Sequence, residues 1–538
     1  MGLRRRNGLS SMIRISRKPY ARRAAMLLVA LLVSLSCARQ KDETGRLPTM
    51  FVGVDGASWV AIEELWEQGR LPNLRALAER GVTSKLKPVA DISPVIWTSM
   101  VTGVKPKTHG IEDFLLPTDQ GDIPVTSGVR RVPALWNMLS TADKRVAALG
   151  WWASWPAEPV NGIVVSDRAL RGVEHGLYPE SLAPRFQEIA DRFPQPTESG
   201  LQAEIARQDS VLGELARQLA SEDFDLILVY LRSPDVVSHP YWKYFQPPED
   251  EEIDEEKIER FGELVPAAYE FFDRILGQLV DAAPRETSFF VVSDHGFTTV
   301  EGEQYRMLVD LNRVLEHMGY LVQVDGEIDW SRTRAITWNS PPGVPEKMVR
   351  IGLDNRDPIG PVSPGDLDQL RDQLASDLRL VVHENGAPLF GVRNPTSAQL
   401  EQGADLTVLV HKRRKPSAVF FHGQEIPGVM QSVEELTGTH SVRTKGIFIA
   451  AGPGIDPTFS AKVVHTLDIA PTVLYSLSLP VAEDFDGMAR TRLFSPEFRA
   501  ANPLQTIPTW GEAREGSATP SEIDDELVEE LRALGYLD

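Results

Sequence analysis

The stretch FDLILVYLRSPDVVSH, Phe224–His239, decides the fold class. Its first half holds the apolar run Leu226–Leu231, the length and character of a strand buried on both faces. Its second half turns polar and carries Asp235 and His239 four residues apart, on one face if the chain enters a helix there. Ligand sites of open parallel sheets gather at the carboxyl ends of strands, so residues far apart in the chain can converge on that edge.

Three further segments follow the same plan. MFVGVDG (Met50–Gly56) is an apolar run breaking at Asp55, and SFFVVSDHGF (Ser288–Phe297) delivers Asp294 and His295. GTHS (Gly438–Ser441) places His440 just before the apolar GIFIAAGPG. RVAALGWW and GIVVSD add strand-like runs, while Trp59–Glu67 and LPNLRALAERG, with its glycine stop, read as helices. Strands alternating with helices predict an α/β fold, a parallel sheet covered by helices on both faces.

Two segments interrupt that rhythm. PPEDEEIDEE, Pro247–Glu256, is too charged for a core and reads as a solvated loop, with a calcium site as the minor alternative. The longer interruption, 304–436, reads as an inserted cap that shapes substrate access; its basic run HKRRK, His411–Lys415, reads as a solvated strand end, with contact to an anionic substrate or lipid as the alternative. The division is then 1–36 leader, 37–47 tether, 48–303 and 437–500 catalytic core, 304–436 cap, and 501–538 tail. In the tail, Ser521 is a fitting helix cap, and Ile523, Leu527, Leu531 and Leu534 share a helical face that must be buried, against its own domain or a partner.

The leader has eight Lys or Arg and no acid before AAMLLVALLVSL, a run too short for a typical membrane span and suited to a signal peptide. Cys37, the one cysteine of the 538 residues, follows directly. LVSLSC resembles a bacterial lipoprotein signal with Cys37 as the lipidated residue, although Ser34 stands where that pattern prefers Leu; an uncleaved N-terminal anchor is the alternative. Either implies export and a membrane tether, the first as a periplasmic or cell-surface lipoprotein. The full chain has a formal charge of −20, and the portion after the leader is eight units more acidic. Such a surface disfavours nucleic-acid binding through phosphate contacts. A single cysteine excludes an internal disulfide.

The chemistry centres on Ser93 in ISPVIWTSMVTG, where Ser93 fits an N-cap and Pro94 the first helical position, facing the hydroxyl toward the positive end of a helix. Coordination to a divalent metal would turn this weak nucleophile into a strong one; the alternative role is capping alone. The ligand types sort into two groups. Asp235, His239 and His440 form a three-residue site with an open position, and Asp55, Asp294 and His295 form a second with Ser93 as the fourth ligand. Carboxylate and imidazole without thiolate suit two zinc ions, with manganese or iron as alternatives.

These segments, with SPVIWTSMVTGVKPKTHGIEDF and HTLDIAPTVLYSLSLPVAEDFDG, carry a resemblance to the alkaline phosphatase superfamily, specifically its type I phosphodiesterase and nucleotide pyrophosphatase branch, over about Thr49–Phe494. The resemblance implies an alkaline-phosphatase-like sheet, two metals on the residues sorted above, a small phosphorylated substrate and a covalent phospho-enzyme at Ser93. Two positions depart from the branch: Ser93 stands where Thr is common, and Phe114 in HGIEDF stands where a phosphate-binding Asn is found. His109 in the same segment reads as structural, with a further metal ligand as the alternative, and His383 and His422 read as ordinary histidines of the cap, with contact to substrate as the alternative. The function read from the chain is hydrolysis of phosphate esters, with phosphodiesters as the expected class. A phosphomutase or phosphoethanolamine-type transferase is the alternative within the fold, and a non-catalytic anion-binding lipoprotein the alternative outside it. SPVIW lacks the arginine and spacing of a sulfatase's modified residue. No protein partner is predicted.

Overall fold

A computed structural model describes residues 48–538 except 119–120, 197–200, 249–251, 325–326, 339–345, 357, 397–398, 401, 412–417, 461, 518, 522, 525–526, 529–530 and 532–538. The leader, Cys37 and the tether lie outside the described residues, as do Lys412–Lys415 of the basic run and Leu534 of the tail.

Nine strands make one sheet: β1 Thr49–Val54, β2 Val82–Lys87, β3 Val146–Trp151, β4 Gly162–Ser166, β5 Leu177–Tyr178, β6 Leu226–Leu231, β7 Ser288–Val292, β8 Gly446–Ala451 and β9 Val463–His465. Their spatial order is β9-β2-β8-β7-β1-β6-β3-β4-β5. The central run β7-β1-β6-β3-β4 is parallel throughout. Two strands run against the rest. The edge strand β5 is antiparallel to β4, and β8 is antiparallel to both β7 and β2.

Alternation along the strands separates two apolar layers. Met50, Val52 and Val54 of β1 and Ile227, Val229 and Leu231 of β6 pack on one face, against helices that include α2 (Leu201–Leu219) and α4 (Leu264–Ala282). Phe51, Leu226, Leu228 and Tyr230 point the other way, against α1 (Ser93–Thr102) and α5 (Ile469–Ser476). Both faces are therefore covered, which is why these strands read as continuous apolar runs. Gly53 interrupts β1 for a packing reason: a Cβ there would come 2.8 Å from the Trp97 ring of α1.

Residues between Val309 and Met430 build a separate apolar core around a four-stranded antiparallel sheet and the helix Leu367–Arg379. The chain enters and leaves this unit through one antiparallel ribbon, Thr298–Val309 paired with Met430–Thr439. Thr298 pairs with Thr439 at its base, so the two ends of the insertion are neighbours although the sequence separates them widely. The described part of the acidic run 247–256 is mostly exposed, and Asp254 caps the helix Glu255–Phe261. His383 is buried in the cap, paired in register with Val419, and His422 is exposed in a turn. No helix among the described residues is long and apolar enough to cross a membrane.

Candidate metal centre

The candidate ligands arrive from several elements at one edge of the sheet. Asp55 follows β1, and Asp294 and His295 follow β7. Asp235 and His239 lie one turn apart in α3 (Ser233–Phe245), the helix that β6 feeds. Gly56 permits this convergence: its φ is +66°, and a Cβ would stand 2.9 Å from the Asp235 backbone. His440 precedes β8, and because β8 is antiparallel its beginning lies at the edge where β1, β6 and β7 end. The bridge between His295 and Lys445 and the bond from Gly296 N to Thr444 O (3.2 Å) fasten that connection.

His295 sits in the middle. Its Nε2 is 3.3 Å from Asp294 Oδ2, 3.6 Å from Asp55 Oδ1, 3.8 Å from Asp235 Oδ1 and 3.4 Å from Ser93 Oγ. His440 stacks on the same ring, with centroids 3.6 Å apart, and His239 lies 3.6 Å from Asp235 through Nε2. Two triads have ligand atoms mutually within 4.8 Å: Asp55, Asp294 and His295, and Asp235, His295 and His440. All seven candidates converge, but His295 lies against both triads, so the clean division drawn from the sequence is blurred at that ring.

Ser93 departs from its sequence reading in one respect. The helix begins at Ser93 itself, with extended Ile92 (φ −121°, ψ 117°) as the N-cap and no side-chain capping bond. The reason is the Ile92 carbonyl, which already accepts from Val95 N and Ile96 N. The fully buried Ser93 hydroxyl is therefore turned toward His295 and not back onto its own helix.

The donor set fits cations. Asp55, Asp235 and Asp294 are fully buried together, and Asp55 Oδ1, Asp294 Oδ2 and His440 Nδ1 have no hydrogen-bond partner. Buried carboxylates left in that state are costly unless positive charge compensates them. Burial pushes Asp294 up to about 7, and burial with the charges of Asp294 and Asp235 raises Asp55 well above the carboxylate range. Burial also opposes ionisation of Asp235, but the imidazoles of His239, His295 and His440 outweigh it and hold that carboxyl low. His295 and His440 are pushed down, chiefly by burial, toward the neutral imidazole that metals require.

Several residues around this cluster carried no polar signal in the sequence. Tyr230 donates its hydroxyl to Asp55 Oδ2 and accepts Trp152 Nε1 at 2.6 Å, yet it reads as one more apolar residue of β6. Phe297 sets its ring edgewise to His239 and His295 and tilted against Trp242. Thr437 Oγ1 donates to the His239 carbonyl at 3.1 Å. His109 is structural: its Nδ1 accepts Ile111 N at 3.2 Å, leaving Nε2 to donate to Ser99 Oγ at 2.8 Å, while Ser99 donates to Val95 O. Phe114 packs edgewise on Trp152.

A family model described as type I phosphodiesterase / nucleotide pyrophosphatase matches residues 49–407. His440 lies beyond that match and joins the cluster on geometry alone. Among solved structures, murine ectonucleotide pyrophosphatase / phosphodiesterase 5 is similar at 15% identity, over 83% of this chain and 100% of its own, with a TM-score of 0.46. Its human counterpart gives 14%, 83%, 100% and 0.46. Phosphonoacetate hydrolase from Sinorhizobium meliloti 1021, in complex with phosphonoacetate, gives 14%, 80%, 95% and 0.40. No curated protein matches by sequence.

Proposed function

Because the chain belongs to the type I phosphodiesterase / nucleotide pyrophosphatase family, and so to the phosphoester hydrolases, we propose that it hydrolyses phosphodiesters of small molecules through a phosphoserine at Ser93. The observation that carries this reading is the Ser93 hydroxyl, spared from capping and 3.4 Å from His295 Nε2 amid buried carboxylates with unpartnered oxygens. Asp55, Ser93, Asp294 and His295 would hold one divalent cation and Asp235, His239 and His440 a second, zinc suiting the donors best. Bound there, such ions would lower the serine pKa and offset charge on the phosphoryl and leaving oxygens.

Ser93 Oγ, its proton lost, attacks phosphorus in line as the P–O bond to the leaving group breaks, and the departing oxygen takes up a proton. Water then adds to the same phosphorus, the bond to Ser93 Oγ breaks, and the serine proton is restored. His440, which burial keeps neutral, lines the site without adding positive charge of its own, its ring centroid 5.4 Å from that of His239. Two in-line displacements each invert phosphorus, so a chiral phosphorothioate diester is expected to be cleaved with net retention. Net inversion would mean that water attacks directly and Ser93 carries no phosphate.

We infer further that the chain is exported and tethered through Cys37, on the strength of its basic start, the short apolar run and the cysteine that follows. Cys37→Ser should release the protein from membranes or stall its processing. An unchanged mature mass with the protein still in the membrane fraction would favour an uncleaved anchor.

A further inference from the structure

The ends of β3, β4 and β6 enclose a second cavity beside the metal centre, of about 50 Å³. The two share a wall: Tyr230 lines the cavity, and its hydroxyl reaches Asp55. Trp152, Phe114, Leu170 and Leu212 continue an apolar lining. The acids at its margin are engaged elsewhere. Asp167 accepts from Ala153 N and Trp155 N, both at 3.0 Å, and Asp209 accepts from Arg232 N and Ser233 N. A guest would therefore meet carbon and aromatic side chains interspersed with the polar groups of Ser166, Gln208, Arg171 and Arg232, Arg168 being engaged by the tail.

The remaining wall comes from the far end of the chain, where Leu527 and Leu531 close the cavity. That segment is latched. Arg168, its side chain 2% exposed, donates Nη1 to Ser521 Oγ and to Asp524 Oδ1, both at 2.8 Å. Ser521 in turn donates N and Oγ to the two Asp524 oxygens, at 2.8 and 2.7 Å. A buried guanidinium is strongly destabilising without its partner, so the docked segment is an integral part of the fold. Its leucines could have filled a core, yet they border space. That space holds roughly four waters by the 10–15 Å³ each requires, about the room of one six-membered ring.

We propose that this cavity receives the organic substituent of the phosphoester bound at the metal centre, that the substituent is a small apolar or aromatic group of about one ring, and that Leu527 and Leu531 set its upper size. This rests on the phosphoester reading above and names the substrate class for it. The tail is then a specificity-determining wall, and the helical face left without a partner in the sequence finds one in its own domain.

The test is calorimetry on the metal-loaded full-length protein with methylphosphonate, phenylphosphonate and 1-naphthylphosphonate, which lack a cleavable ester bond. The wild type should bind phenylphosphonate about tenfold more tightly than either of the others, the scale at which apolar pockets discriminate by size. In the Leu527→Ala/Leu531→Ala double variant, 1-naphthylphosphonate should gain about tenfold while methylphosphonate stays unchanged. Asp524→Asn, which loosens the latch without removing a leucine, should shift the order in the same direction and stands in if the double variant does not fold. A size order identical in wild type and variants would overturn the pocket assignment while leaving the phosphoester reading intact. Failure of methylphosphonate to bind the wild type at all would overturn both.

Discussion

Asp294 and Asp209 are acids of equal burial at the same edge of the same sheet, and burial drives both upward, to about 7 and about 6. They differ in what meets their oxygens. Asp209 accepts from Arg232 N at 3.0 and 3.1 Å, Ser233 N at 2.8 Å and Ser233 Oγ at 2.5 Å, and it ties α2 to the start of α3. Asp294 receives a single backbone amide, Gly56 N to Oδ1 at a long 3.3 Å, with Oδ2 unpartnered and the Asp55 and Asp235 carboxylates close by. A buried acid is thus no sign of a site by itself. The sign is a buried acid whose neighbours do not satisfy it, because only a ligand of opposite charge can.

If the Asp294 side of the contrast is catalytic, Ser93→Ala should lower kcat by at least about a hundredfold to a thousandfold, the cost of one strongly engaged group, with bound metal retained by elemental analysis. Near-normal turnover would remove Ser93 from the chemistry. On the Asp209 side the expected loss is in stability. Asp209→Ala strands two backbone amides and a hydroxyl, each worth about 1–3 kcal/mol when buried, so the unfolding free energy from denaturant titration should fall by a few kcal/mol in total. The same variant should keep its metal content, and loss of metal without loss of stability would erase the distinction drawn here.

Tyr230 stands between the two regions, and Tyr230→Phe removes the donor to Asp55 together with the acceptor of Trp152 Nε1. Metal affinity should drop about tenfold to a hundredfold, the usual effect of losing a group that orients a ligand, with little change in the fold. Unaltered affinity would mean that Asp55 is held in place without the phenol. The smallest effect concerns His109, which burial pushes down to about 3 from the ordinary 6.5. Its neutral, bonded form contributes stability that is full above pH 6.5 and is lost as pH falls toward 3, because the unfolded chain binds the proton first. His109→Gln should flatten the stability profile in that window by at most about 1.4 kcal/mol per pH unit, and an unchanged slope would assign the acid sensitivity to other groups.

The sequence by itself determined the layers and the donors. Runs such as MFVGV and LILVYL are apolar at every position because helices cover both faces, and the break at Asp55 or before Asp235 marks where each strand leaves the core. That is local information, written in the period of the side chains. Only the tertiary structure decided which strands are neighbours and which way they run. Nothing in GIFIAAGPG announces that β8 is antiparallel, and nothing in the long insertion announces that Thr298 pairs with Thr439, yet these two facts lay His440 on His295. The same holds for Tyr230, one apolar letter among six until β1 places Asp55 beside it, and for Leu527 and Leu531, a helical face whose partner lies across the domain. A strand's period records which side chains are buried and leaves open the partner and direction of its backbone hydrogen bonds, because those are settled by strands remote in the chain.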